Sequence, residues 1–259
     1  MTIQPLKATV NCDMGEGYSL YTMGDDEGLM KTIHLANIAC GFHASDFNIM
    51  KQTVDLAVAN NVLIGAHPSL PDHQGFGRRE MAIEPDELAN CFTYQVGALA
   101  GFLLPHNIRL NHIKPHGAIY GQTSRSFLLA RAAVGVCKAF STADHLVSFM
   151  GLAGTMHQQV AKEAGVPFIA EWFADMQYDE TGKLLITKKH DPVSQETVRQ
   201  RVTTMLETHQ VTTKSGSLLH IGQGVSEVSI CVHSDTPGAV EIAQCVKGLV
   251  DESNKKAGY

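Results

Sequence analysis

Residues 34–46, His-Leu-Ala-Asn-Ile-Ala-Cys-Gly-Phe-His-Ala-Ser-Asp, decide how the rest of the chain is read. Residues 35–40 are too short and too uniformly apolar for an amphipathic helix. They read as a strand buried on both faces, the kind a parallel sheet produces. Gly41 lets the backbone turn at its carboxyl end, and His43 follows on that turn. Ser45 or Asp46 then caps a helix that Phe47, Met50, Val54 and Ala57 mark at helical spacing. A titratable side chain is thereby set at the mouth of a packed strand and helix.

The same arrangement recurs on both sides of this stretch. Upstream, a strand over 8–13 runs into Met-Gly-Glu-Gly-Tyr, leaving Asp13 and Glu16 on a glycine-flanked turn. Asp13 alone has the character of a cap or turn residue as much as of a site residue, whereas Glu16 between Gly15 and Gly17 has no such duty. A short helical piece follows near 27–32. Downstream, a strand over 62–66 ends in His67-Pro68-Ser69, and a long loop runs through Gly75-Phe76-Gly77-Arg78-Arg79. Its length marks a candidate active-site loop. Arg78 and Arg79 are suited to clamp a carboxylate or phosphate bidentately, with at least one of them a solvated surface charge.

Pro85 starts a helix whose Leu88, Phe92, Leu99 and Phe102 face the core, and a fourth strand over 109–113 ends in Lys114-Pro115-His116-Gly117. Pro115 stops the ladder where Lys114 and His116 emerge, so both belong to the mouth, as anion binders, as acid and base, or, for His116, as a metal ligand. A helix over 124–140 and a strand over 145–150 lead to Gly151-Leu-Ala-Gly154-Thr155, read either as a close-approach loop or as a plain helix cap. The sixth strand, 167–173, carries Glu171 and ends at Asp175, and residues 178–186 read as a β-hairpin within an extension near 176–190 that covers the mouth. A helix marked by Val198, Val202, Met205 and Leu206 precedes the last strands, 218–221 and 228–232, the second ending in His233-Ser234-Asp235. Pro237 opens the closing helix, with Val240, Ala243 and Val250 inward.

Strand and helix alternate about seven times without a linker or internal repeat, which predicts one α/β domain over residues 1–259, a closed or nearly closed (β/α) barrel. Chemistry in such folds lies at the carboxyl ends of the strands. Asp13, His43, His67, His116, Asp175 and His233 each follow a different apolar strand, so one fold brings all six to one rim.

Composition narrows the classes. A net charge of −6, with no basic run beyond Lys188 and Lys189, argues against a nucleic-acid surface. The first residues lack the apolar core of a signal peptide and no run reaches membrane length, which predicts a soluble cytoplasmic protein with no membrane contact. The six cysteines are dispersed with no Cys-x-x-Cys pair, so they read as free thiols that pack as small hydrophobes, Cys12 and Cys40 included.

Two chemistries fit the converging side chains. Asp13, His43, His67 and His116 are candidates to hold Zn²⁺ or Mn²⁺ and activate water, although no His-Glu-x-x-His motif is present. Alternatively the same groups act without metal as acid and base on an amide held by Arg78 and Lys114. No Gly-x-Ser-x-Gly elbow or Walker A sequence occurs, and Gly222-Gln223-Gly224 lacks the third glycine of a dinucleotide loop.

Several runs resemble the LamB/YcsF family. They are Val-Asn-Cys-Asp-Met-Gly-Glu-Gly at 10–17, Ala-Asn-Ile-Ala-Cys-Gly-Phe-His-Ala-Ser-Asp at 36–46, Gly-Ala-His-Pro-Ser at 65–69, Phe-Gly-Arg at 76–78, Lys-Pro-His-Gly at 114–117 and Gly-Leu-Ala-Gly at 151–154. The resemblance covers nearly the whole chain. It implies a distorted seven-stranded barrel of the glycoside hydrolase/deacetylase type and the role of the A subunit of an ATP-dependent 5-oxoprolinase, opening the lactam 5-oxoproline to glutamate. ATP would be used through two carboxylase-like partner subunits, and assembly of further copies of the chain stays open. Carried over by position, the implied catalytic residues are Asp13, Glu16, His43, His67, Lys114 and His116. Asp46, Arg78, Asp175 and, from its place at the last strand exit, His233 bind substrate. The competing classes are a stand-alone metal-dependent hydrolase or deacetylase and a non-catalytic binding subunit. One departure matters: Met176 stands where the resemblance leads one to expect a basic residue, which leaves room for another lactam such as 2-pyrrolidinone or for a different assembly. Ser45 in place of the usual glycine is a smaller one.

Overall fold

Seven strands alternate with helices so that every strand is parallel to both neighbours, and the sheet closes on itself. A computed structural model describes residues 6–185, 192–221 and 224–259. Strands β1 (Lys7–Met14), β2 (Leu35–Ala39), β3 (Leu63–His67), β4 (His112–Ile113), β5 (Ser148–Leu152), β6 (Phe168–Phe173) and β9 (Glu227–Val232) form the barrel in that order, with β9 pairing both β6 and β1. The outer layer is α1 (Asp26–Met30), α2 (Phe47–Ala59), α3 (Pro85–Leu103), α4 (Gly117–Arg125), α5 (Phe127–Ala139), α6 (Met156–Ala164), α7 (Gln195–Thr208) and α8 (Ala239–Ala257). A separate antiparallel pair, β7 (Gln210–Thr212) and β8 (Leu218–His220), lies outside the barrel.

All five β2 residues are buried, as expected of a strand with a helix layer on one side and the barrel interior on the other. Helix α2 begins where Asp46 accepts hydrogen bonds from the backbone N–H groups of Asn48 and Ile49. It buries Met50, Val54 and Ala57, but Phe47 points to solvent, because the first helical residue precedes the face that packs on β2 and β3. Helix α3 uses Leu88, Phe92 and Leu99 as its core face, with Phe102 partly buried at its end.

Four sequence expectations need correction. The fourth strand is two residues long, His112 and Ile113, with Asn111 and Lys114 adding backbone bonds at its ends before Pro115, which has no N–H to give. The helix expected over 124–140 is two helices; Ser126 ends α4 and caps α5 through its hydroxyl and Leu129 N–H. Residues 218–220 pair with β7 rather than with the barrel. The closing helix starts at Ala239 after left-handed Gly238, just beyond the opening expected at Pro237. The expected hairpin extension near 176–190 is described only in part: Tyr178 and Leu184 form an antiparallel bridge, while 186–190, including Lys188 and Lys189, lie outside the described residues. Gly222 and Gln223 lie outside them as well. Among the described residues no helix is long and apolar enough to cross a membrane, and the six cysteines are free of disulfides.

Candidate functional site

Inward positions along a strand alternate, so polar residues two apart share the barrel interior. The pairs Asn11 and Asp13, Gly65 and His67, His112 and Lys114, and Ser229 and Cys231 build two polar layers inside an otherwise apolar barrel. In the lower layer Asn37 Nδ2 donates to Asn11 Oδ1 and Asp13 Oδ1, both at 2.8 Å, and Asn11 Nδ2 donates to Ser229 Oγ at 2.9 Å. His112 Nε2 donates to Asn37 Oδ1 at 2.7 Å. Burial pushes the His112 pKa down to about 3, so the ring is a neutral strut.

Lys114 stands above this layer, its ammonium 2.7 Å from Asp13 Oδ1 and 2.8 Å from Glu171 Oε1. Burial works against the charge, but the carboxylates outweigh it and hold the Lys114 pKa well above the ordinary range. Asp13 suffers the same desolvation, and His67 and Lys114 nevertheless hold its pKa well below the usual carboxylate range. The two groups form a buried ion pair at the floor of the mouth.

Three imidazoles and a second carboxylate gather beside Asp13. His67 Nε2 is 3.3 Å from Asp13 Oδ2 and 2.9 Å from His116 Nδ1. Glu16 Oε1 is 3.0 Å from His43 Nε2 and 3.4 Å from His116 Nδ1. Burial raises the Glu16 pKa to about 7, with the nearby Asp13 charge acting in the same direction. Burial pushes His43 down to about 3 and His116 well below its ordinary value, so both rings are neutral. Left-handed Gly77, on the loop that follows β3, lies against His116 and His43; a Cβ there would come within 2.9 Å of atoms of both residues. That contact is why the loop needs glycine.

The fourth group comes from the last strand. Asp175 Oδ2 accepts from the His233 N–H at 2.9 Å and the Thr236 hydroxyl at 2.8 Å, and Oδ1 lies 3.0 Å from His233 Nδ1. Burial alone would lower the His233 pKa, but Asp175 raises it to about 9, so the imidazole is cationic at neutral pH. Its Nε2 faces Asp13 Oδ2 across 3.9 Å. Arg78 closes the rim, paired with Asp235 at 3.0 Å and lying 4.9 Å from the Phe76 ring centre.

A pocket opens on these groups. Its polar wall is Asp13, His67, Arg78, Lys114, His116 and His233; Tyr120, Phe173, Met176 and Leu184 form the apolar wall. Eight of the ten residues singled out from the sequence thus meet at one mouth, Glu16 and His43 from directly behind its wall. Asp175 acts through His233 and does not line the pocket. Asp46 stands apart, its carboxylate spent on the N–H groups of Ser19, Asn48 and Ile49. Arg79 is the surface charge, paired with Asp72. Gly151 packs against His157 and Thr155 caps α6, so the 151–155 run is a helix start. Sequence reading passed over Asn11, Asn37, His112, Tyr120 and Cys231, and named Glu171 without a role; the available signal was the two-residue spacing of polar side chains within apolar strands.

Residues capable of holding a metal also fall here. Glu16, His43, His67 and His116 each offer a donor atom within 4.8 Å of the others, and Asp13, Cys231 and His233 form a second such group. The mouth therefore combines fixed positive charge, a fixed carboxylate and neutral imidazoles, a set suited to acid, base and electrostatic work on a polarised carbonyl.

Comparison with known proteins agrees with this architecture. The chain is 46% identical over 98% of its length to a lactam utilization protein lamB from Emericella nidulans, of which 98% is covered. It is 39% identical over 93% of its length to the A subunit of a 5-oxoprolinase from Staphylococcus epidermidis, of which 94% is covered. The crystal structure of a lactam utilization protein from Thermus thermophilus superposes with a TM-score of 0.83 at 33% identity, covering 98% of both chains. A putative cellobiose-phosphate cleavage protein from Enterococcus faecalis shares the fold alone, with a TM-score of 0.56 at 13% identity. Residues 8–257 match the LamB/YcsF family, and the chain belongs to it.

Proposed function

We propose that this chain is the A subunit of an ATP-dependent 5-oxoprolinase and that its mouth pocket binds and opens the lactam. What carries the reading is the meeting of the Lys114 ammonium, the His233 imidazolium and the Asp13 carboxylate on one small cavity, in a chain whose relatives bear that name. Lys114 and His233 present positive charge to the amide oxygen and stabilise negative charge that develops there. Asp13, held ionised, orients water toward the carbonyl carbon and accepts its proton. Arg78 on the rim engages the carboxylate of 5-oxoproline.

An unstrained five-membered lactam resists water, and phosphorylation of its amide oxygen by ATP makes the carbon electrophilic. ATP is supplied through two carboxylase-like partner subunits in the cytoplasm. Leu184, on the segment after Asp175, adds to the apolar wall of the pocket in this single domain. That wall, with Met176 in it, also suits a lactam without a carboxylate, such as 2-pyrrolidinone.

The test is reconstitution. Glutamate release from 5-oxoproline is expected only when this chain, both partners and ATP are present, and Asp13→Asn in the full assembly is expected to lower turnover at least about 10³-fold. Full activity of that variant sinks the assignment. A second reading, a metal-dependent amide hydrolase acting alone, draws on the cluster of imidazoles and carboxylates. Zn²⁺ or Mn²⁺ bound there would polarise the amide and acidify water. Chelator-sensitive amide hydrolysis by the isolated chain without ATP would favour it.

A further inference from the structure

His67 and His116 meet through the ring nitrogens that their backbone contacts leave over. His67 Nδ1 lies 2.8 Å from the Lys114 carbonyl oxygen, and His116 Nε2 lies 2.8 Å from that of Phe76. A carbonyl only accepts, so each ring places an N–H on that side. The remaining nitrogens, His67 Nε2 and His116 Nδ1, face each other at 2.9 Å. Two ring nitrogens that close need a positive centre between them, either a shared proton or a metal ion.

Carboxylate oxygens close the same space, Glu16 Oε1 3.4 Å from His116 Nδ1 and Asp13 Oδ2 3.3 Å from His67 Nε2. A four-coordinate ion with bonds of about 2.0–2.1 Å keeps neighbouring donor atoms about 3.3 Å apart, and these three spacings, 2.9, 3.3 and 3.4 Å, are close to that. The His67 and His116 planes stand 86° apart, which lets one point lie in both planes along both lone pairs. His43 is different. Its ring stacks on His116 at 3.6 Å between centres and 6° from parallel, so no single point at bonding distance lies in both planes. Its Nε2 meets Glu16 Oε1 instead.

We propose that Glu16, His67 and His116 hold one divalent transition-metal ion, with Asp13 as fourth donor on the pocket side, and that His43 orients Glu16 without binding the ion. Two imidazoles and two carboxylates, with no thiolate among them, select an ion of the Zn²⁺, Co²⁺ or Mn²⁺ type over a soft one. His67, His116 and Asp13 line the pocket, so the ion faces whatever amide is bound. The proposal concerns what the cluster holds and does not rest on the need for ATP or partners.

The test strips the full chain with chelator and titrates it with Co²⁺. One equivalent is expected to bind with the visible ligand-field absorption of a four-coordinate site. His116→Ala and Glu16→Gln are each expected to abolish that absorption and weaken binding at least about 100-fold, whereas His43→Ala keeps it with a loss of no more than about tenfold. Circular dichroism checks that each variant is folded, and the unaltered protein decides the main point if one is not. Absence of stoichiometric Co²⁺ in the unaltered protein overturns the site and leaves a shared proton between the two imidazoles. Equal loss in His43→Ala and His116→Ala overturns the ligand assignment. Neither readout uses turnover, so a metal-loaded chain that fails the reconstitution assay refutes only the lactam reading.

Discussion

Gly65 stands opposite His112 in the β3 and β4 pairing, and the His112 ring fills the space that a side chain on residue 65 would need. A Cβ there would collide with His112 Nε2, the atom that supports Asn37. The ring is buried and hydrogen-bonded, so it has nowhere to move. Gly65→Ala is expected to cost about 1–3 kcal/mol, read from urea denaturation, as for other overpacked cores. No change in the midpoint would show that the layer is not rigid.

Removing the Lys114 ammonium strands two buried carboxylates. Lys114→Met is expected to destabilise the fold by about 3–5 kcal/mol as well as stop turnover. Adding Glu171→Gln to it should restore part of the stability and none of the activity. Stability unaffected by the single change would mean that water reaches Asp13 and Glu171 freely.

The His233 and Asp175 pair gives a pH signature. His233 has its folded pKa raised from 6.5 to about 9, so its contribution is complete below about pH 6.5 and disappears as pH rises through 9. Asp175 is lowered from 3.8 to about 2, so its part is complete above about pH 4 and is lost only toward pH 2. Between about pH 6.5 and 9.5 the protein is expected to lose up to about 3 kcal/mol that His233→Asn does not lose. Parallel melting curves for the two proteins across that range would count against the pair.

Asp46 serves α2. Asp46→Ala is expected to cost about 1 kcal/mol by loss of the cap, with KM for the lactam unchanged. A large rise in KM with intact stability would restore it to the binding residues.

Met176 sits on the apolar wall. Met176→Arg is expected to shift the ratio of kcat/KM for 5-oxoproline over 2-pyrrolidinone by about tenfold toward the carboxylate-bearing lactam, measured in the reconstituted assembly. A shift the other way would place the carboxylate elsewhere in the mouth.

The stretch at 34–46 was legible because its chemistry is local: an apolar run, a glycine and a capping side chain each act on near neighbours. The histidines after successive strands were legible for the same reason, since a parallel barrel sends every strand end to one rim. The two-residue β4 was not, because residues 109–111 have the composition of a strand, yet the paired register covers only His112 and Ile113, with Asn111 bonded to both neighbours at its edge. Helix α4 was hidden by Pro115 and Gly117, which look like the start of a loop and in fact set the entry to a helix. Residues 218–220 have strand character, and only the position of β7 takes them away from the barrel. The polar layer of Asn11, Asn37 and His112 escaped notice because each residue is an isolated exception within an apolar strand. Their hydrogen bonds span 24 to 218 positions of sequence, so no window along the chain contains a donor with its acceptor.

Asp13 and His67 are themselves strand residues, fixed by ladder bonds to their neighbours, while Arg78, Met176 and Leu184 hang from the connections between elements. Insertions or exchanges in those connections can remodel what enters the mouth without displacing the strand-borne groups. A change of accepted lactam is therefore a smaller step for this architecture than a change of reaction, and relatives with different appetites can keep the same inner machinery.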